Sequence, residues 1–255
     1  MTGDFDSGRM RAISAADLLE VWEVGSNESH LERPLRLLAA AFPDVAAPAF
    51  GQMTIGARDA ALLAVRERTF GPELAGVSAC PQCRETLELR FPTNQLGATR
   101  PPDAIDLSTL TVDDYEMTFR LPNTVDLVAV AGEKDVRNAR QRLLERCILA
   151  TRCRNEACPV AAVPAETLGA VVERMGELDP QAKVELALSC PQCGHQWQAL
   201  FDIASFLWAE VDAWAVRTLS EVHALASMYA WREADILRMS ARRRQAYLSL
   251  GGASG

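Results

Sequence analysis

Residue type and spacing specify one chemistry most clearly, in two cysteine pairs, Cys80-Pro-Gln-Cys83 and Cys190-Pro-Gln-Cys193. Two thiols separated by two residues on a tight turn aim both sulfurs at one point, which is half of a tetrahedral zinc site. The two halves also share their flanks. Counted from the second cysteine of each, Leu87, Leu89 and Phe91 fall at the same offsets as Trp197, Ala199 and Phe201. Both copies therefore read as a cysteine turn opening a half-buried strand of period two. Paired, they predict a zinc ribbon with one structural Zn2+ per chain, held by Cys80, Cys83, Cys190 and Cys193.

Redox chemistry is the main competitor, but a redox Cys-x-x-Cys sits at the start of a helix whose dipole lowers a thiol pKa. Here strand-like alternation follows both pairs. Two unrelated reduced pairs, or two local disulfides, stay open. His195 could replace a thiol, yet four cysteines already fill the tetrahedron, so it reads as a surface residue or a neighbour of the ligands. Cys147, Cys153 and Cys158 have irregular spacings and no histidine nearby. Cys147 falls on the apolar side of a helix, where cysteine acts as a small hydrophobe, and no second metal site is expected.

The elements that must position these thiols can be read along the chain. Residues 1 to 13 are polar and glycine-containing and read as flexible. Ser14 is a helix N-cap ahead of Leu18, Leu19 and Trp22, with Gly25 as the stop. A second helix runs from about His30 to Phe42, with Pro34 in its first turn, and Pro43 to Met53 reads as a loop. Gly56-Ala-Arg58-Asp59 opens a third helix, ended by Gly71-Pro72. In it Asp59 complements the helix N-terminus and Arg66 is a solvated or partner-facing charge.

After the first cysteine turn, Thr93 to Asp114, with Pro101-Pro102, reads as a linker or extended surface loop. Tyr115, Met117, Phe119 and Leu121 alternate as a strand. Helical material follows to about Leu149, broken near Gly132, and a short helix spans Ala165 to about Met175. From Ile203 to Tyr229 apolar residues recur every three and four positions, a helix of roughly 40 Å. Trp231 to Met239 forms another, and Ser240 caps a last one carrying Arg242, Arg243 and Arg244, whose charges read as a solvated or salt-bridging face.

The expected fold is thus α+β: mostly helical, with a zinc-ribbon-like small antiparallel sheet built from the two knuckles and a long C-terminal helix. It divides into an N-terminal helical segment (1–75), ribbon halves (76–92 and 184–202), an inserted strand-plus-helix section (93–183) and a C-terminal helical segment (203–250). Because the insertion separates the two halves of one site, all of it forms one folding unit.

Composition bounds the function. The chain has 255 residues, of which 49% are apolar, enough for a packed core. A formal charge of −8 opposes nonspecific attraction to nucleic acid or anionic membrane, though not a local basic patch. No apolar run is long enough to span a bilayer and Met1 to Arg11 lacks the stretch of a signal peptide. Cytoplasmic synthesis is expected, where seven cysteines favour thiols and metal over disulfides. With three histidines and no glycine-rich phosphate loop, no nucleophile, base and orienting acid assemble. The chain does not read as an enzyme.

Several motifs together point further. They are Gly56-x-Arg58-Asp59-x-x-Leu62-Leu63, the paired cysteine turns, and Asp202-Ile203-x-x-Phe206-Leu207-Trp208-x-Glu210. The ending adds Glu221-Val222-His223-x-Leu225-Ala226, Tyr229-x-Trp231-x-Glu233-x-x-Ile236-Leu237, Ser240 and Arg244-x-x-Tyr247-Leu248. The chain resembles the baseplate-associated protein family of T-even-type contractile-tailed phages and related contractile injection systems, over residues 55–91 and 184–249. The resemblance implies a role in building the baseplate, as a permanent component or an assembly factor, with no catalytic residues to carry over. It implies other baseplate, hub or tail-tube proteins as partners, within a larger oligomeric assembly. The protein would be cytoplasmic during assembly, with the finished tail or injection-system particle as its second address.

Trp208, Trp214, Trp231, Arg243 and Tyr247 are the candidate partner-binding residues, since such side chains are enriched at binding hot spots. The alternative is a zinc-ribbon nucleic-acid adaptor using Arg242 to Arg244, with binding steeply dependent on salt. A metalloenzyme ranks last, because four cysteines leave no open coordination position.

Overall fold

A computed structural model describes residues 10–96 and 107–252. Of the start expected to be flexible, residues 1–9 lie outside the described residues, as does Pro101-Pro102. Residues 10–13 are instead packed, with Met10 buried in the first core and Arg11 N–H donating to the Ala41 carbonyl at 2.9 Å. The first helix, α1 (Ala15–Gly25), begins where Ser14 accepts a hydrogen bond from the Asp17 backbone N–H at 3.1 Å. α2 (Arg33–Ala41) carries Pro34 in its first turn. The expected loop after it holds a short helix, α3 (Ala47–Gly51), started by Pro48. α4 (Ile55–Phe70) is capped by Thr54 and ends at Gly71, whose φ of 93° an L residue rarely adopts.

Two strands then flank the first cysteine turn, β1 (Glu73–Ala79) and β2 (Thr86–Pro92), paired antiparallel. The second turn joins β7 (Val184–Ser189) and β8 (Gln196–Phe201) in the same way. The expected single sheet is therefore two separate hairpins, which share no backbone ladder.

The section between them forms a four-stranded antiparallel sheet of β3 (Ser108–Val112), β4 (Tyr115–Phe119), β5 (Ile148–Cys153) and β6 (Glu156–Ala157), in that order. The expected linker thus supplies β3, and the expected helix to Leu149 stops at Cys147. α5 (Thr124–Val130) and α6 (Val136–Cys147) lie between β4 and β5, and α7 (Ala165–Leu178) follows β6. Met117, Phe119, Leu144, Ile148 and Val171 form a core of their own here.

α8 (Ile203–Tyr229) is the continuous helix its periodicity predicts, with Asp202 accepting from the Ala204 and Ser205 backbone N–H groups. Its first half packs Leu207 and Val211 with Leu18, Leu37, Leu38, Leu62 and Leu63 of α1, α2 and α4. The hairpin bases join that core through Leu74, Phe91, Val184 and Phe201. Its second half meets α9 (Glu233–Leu237) and α10 (Ala241–Gly252) around Val222, Leu225 and Ile236. No helix among the described residues is long and apolar enough to cross a membrane.

Two charges, Arg66 and Asp59, differ from expectation, and a third, Arg244, is salt-bridged as expected but buried. Arg66 is buried, bonding Glu210 of α8 through Nε (2.8 Å) and Nη2 (2.7 Å) and the Gly71 carbonyl through Nη1 (2.6 Å). Arg244 is also buried, on Glu221 at 2.7 Å and the Met239 carbonyl at 2.9 Å. Asp59 does not serve the helix N-terminus. It pairs with buried Arg58 at 2.7 Å, while Asp179 takes the Gly56 backbone N–H at 2.9 Å.

Candidate metal centre

Each knuckle is a closed local structure. Cys80 N–H donates to the Glu85 carbonyl at 2.8 Å and Arg84 N–H to the Cys80 carbonyl at 2.9 Å. In the second copy Cys190 N–H donates to His195 and Gly194 N–H to Cys190, at 2.8 and 2.9 Å. The residue after the second cysteine takes a positive φ in both, 64° at Arg84 and 72° at Gly194. The repeat read in the sequence is thus a repeat of backbone geometry.

The hairpins face each other with exchanged partners. Cys80 Sγ lies 3.7 Å from Cys193 Sγ, and Cys83 Sγ 3.5 Å from Cys190 Sγ. All four sulfurs fall within 4.8 Å of one another. A tetrahedron with metal–sulfur bonds of about 2.3 Å has edges of about 3.8 Å, so the spacing fits one ion of that kind. Further along, Phe91 and Phe201, equivalent in the repeat, meet edge to face at 6.1 Å. Cys80 and Cys190 are buried beside Leu87, with Leu89 and Trp197 against them, while Cys83 and Cys193 are exposed. A dry inner side and a wet outer side result.

The thiols do not titrate alike. Burial acts to raise Cys80, but the backbone N–H groups of Cys83 and Gln82 and the Cys83 and Cys193 thiols outweigh it, lowering Cys80 to about 7. The Glu85 backbone N–H acts to lower Cys83, yet partial desolvation and the Cys190, Cys193 and Cys80 thiols push it up to about 12. Cys193 is raised too: the His195 backbone N–H and the Cys83 thiol lower it less than partial desolvation and the Cys190 and Cys80 thiols raise it. Like charges this close resist a second ionisation. Cys80, Cys83, Cys190 and Cys193 would hold a divalent cation as thiolates, its charge offsetting that repulsion.

Among the described residues no other group of cysteine, histidine and acidic side chains has metal-binding spacing. His195 stacks on Trp197 at 5.9 Å. Cys147 sits in the core of the inserted section, where burial raises it to about 11.

The five aromatic and arginine candidates fall in two places. Trp208 and Trp214 pack half-buried on the first core, with Arg33 4.9 Å above the Trp208 ring. Trp231, Arg243 and Tyr247 come together beyond α8. Trp231 stacks on Tyr229 at 4.5 Å and meets Tyr247 edge-on at 4.8 Å, with Arg243 5.7 Å from the Tyr247 ring. Sequence reasoning passed over a basic run in the insertion, seven cations against two acids between Lys134 and Arg154. A running charge count would have found it.

The family model described as T4 bacteriophage base plate protein matches residues 16–208, taking in both cysteine pairs and ending within α8. No curated protein and no solved structure matches the chain.

Proposed function

The chain belongs to the T4 bacteriophage base plate protein family, and from that membership we propose a non-enzymatic structural or assembly protein of a contractile-tail baseplate, stabilised by zinc. The observation that carries the reading is the family match, which spans both halves of the cysteine cluster. Four thiolates in a tetrahedron select zinc or iron, and zinc brings no redox chemistry to a scaffold. Cys80, Cys83, Cys190 and Cys193 would hold it, and the ion would supply a crosslink.

Magnitudes support a structural ion. Joining sulfurs 107 residues apart costs about 4 kcal/mol of loop entropy by the (3/2)RT ln n rule. Structural zinc in small fingers contributes about 10 to 16 kcal/mol of coupled folding energy, so the ion outweighs the closure several-fold. Partner contacts fall to Trp208, Trp214 and the Trp231–Arg243–Tyr247 group, and the protein works in the cytoplasm during assembly or within the tail itself.

Two measurements test the reading. Metal analysis of protein purified without a histidine tag should return about one zinc per chain; fully folded, metal-free protein would remove the zinc. Tail particles isolated by sedimentation should carry the protein at fixed stoichiometry with sheath and tube, or fail to form when it is deleted. Normal particles from the deletion would refute the baseplate role.

A further inference from the structure

The sheet of the inserted section has an incomplete outer strand. β6 pairs Ala157 and Glu156 with Arg152 and Cys153, and one further bond runs from Cys158 N–H to the Thr151 carbonyl at 3.1 Å. Pro159 then has no N–H to give, and the chain leaves the sheet into a 3-10 turn, Val160–Ala162. From Ile148 to Ala150, β5 pairs with β4 across a one-residue bulge at Leu149, and among the described residues it has no strand on its other side. A groove of about 460 Å³ runs along this edge, walled by Leu149, Thr151, Arg152, Cys158, Pro159 and Val160. Leu149 is 52% exposed. An open edge with an exposed apolar side chain is a template for strand addition.

Charge narrows the occupant. The chain as a whole carries −8, whereas Lys134 to Arg154 holds seven cations and two acids. Arg142, Arg146 and Arg154 are paired with Glu133, Asp126 and Asp114. Arg137, Arg140 and Arg152 are exposed and make no side-chain ion pair or hydrogen bond among the described residues, and Arg152 stands in the groove wall. Directional backbone groups along an open strand suit an extended peptide better than a duplex backbone.

We infer that an extended acidic segment of a partner protein adds as a strand beside Ile148–Ala150 in this groove, with its carboxylates toward Arg152. The inference rests on reading the protein as one that works through protein contacts. Its test uses the purified chain, so its failure and the failure of the particle experiment are separable.

The probe is a fluorescent octapeptide of alternating valine and glutamate, titrated at low salt against the full chain. Every second backbone N–H of an extended peptide faces the edge, so N-methylation at those positions should abolish binding while leaving the protein untouched. Arg152→Glu should weaken it roughly fivefold or more, and hydrogen exchange at Leu149, the residue of this segment not paired with β4, should slow in the complex. The inference fails if the peptide does not bind, if N-methylation has no effect, or if a lysine-for-glutamate peptide binds equally well. It also fails if duplex DNA displaces the peptide, or if binding requires removal of residues 97–106, which would make this chain's own segment the occupant.

Discussion

Arg84 and Gly194 hold the same place in the two knuckles with the same left-handed backbone, and the arginine carries a conformational cost the glycine avoids. Arg84→Gly should therefore stabilise the metal-loaded protein by about 1 kcal/mol, and Gly194→Ala should cost about 1–2 kcal/mol, read from urea unfolding. Asp59 gives a pH signature. Burial pushes it up to about 6 against the pull of Arg58, with Asp202 and Asp179 adding to the rise. Between its ordinary 3.8 and about 6 the folded state then binds more protons than the unfolded chain. Stability from this group is full below that window and is lost as pH rises through it. Melting temperatures from pH 4 to 7 should fall across the window in the parent and fall less steeply in Asp59→Asn, where Asp179, also raised by burial, keeps part of the slope. Legibility at this scale follows repetition. The cysteine quartet announced itself by recurring with its flanks, whereas Arg66 looked like any surface arginine because its carboxylate partner lies 144 residues away.

Elements meet where the sequence showed only a motif. Gly56, the first residue of Gly56-x-Arg58-Asp59, lies where α4 docks on the Pro180–Ala182 turn. A Cβ there would sit 1.9 Å from Asp179 Oδ1 and 2.9 Å from the Ala182 backbone nitrogen. Arg58 Nη1 reaches Thr124 Oγ1 of α5 at 3.2 Å, so the motif ties the inserted section to the helical core. Gly56→Ala should cost roughly 1–3 kcal/mol by overpacking, measured by thermal melting. Glu210→Ala leaves the Arg66 guanidinium buried without its carboxylate. The loss should sit at the low end of roughly 3–5 kcal/mol, because Glu210 keeps a quarter of its side-chain surface in water. Strong period-3.6 patterning made α8 readable end to end, and no such signal marked three of the strands. β1 is built largely of Ala, Gly and Ser, which carry little strand propensity. β5 starts at the residue that caps α6, with no Gly or Pro between them to announce the change. β3 follows a proline-rich stretch that reads as linker.

Across the whole molecule the hairpins are load-sharing members of the first core through Leu74, Phe91, Val184 and Phe201. With zinc bound as proposed, a coupling of about 10–16 kcal/mol would be as large as the total stability of an ordinary domain, about 5–15 kcal/mol. Chelation should consequently lower the melting temperature, with amides of residues 73–92 and 184–201 losing exchange protection before those of the inserted sheet. An unchanged melt after complete metal removal would mean that side-chain packing alone holds the hairpins. The separation of the two knuckles also sets a schedule for synthesis. At about 5–20 residues per second a ribosome needs roughly 5–20 s to carry the chain from the first cysteine pair to the second. For that interval each nascent chain displays two thiols with no mates of its own, and on a polysome the nearest complementary pair belongs to a neighbouring copy. Crossed dimers, in which two chains trade halves of the proposed centre, are the misassembly that this spacing along the chain would favour, and slow translation at high expression should enrich them as metal-dependent dimers on gel filtration.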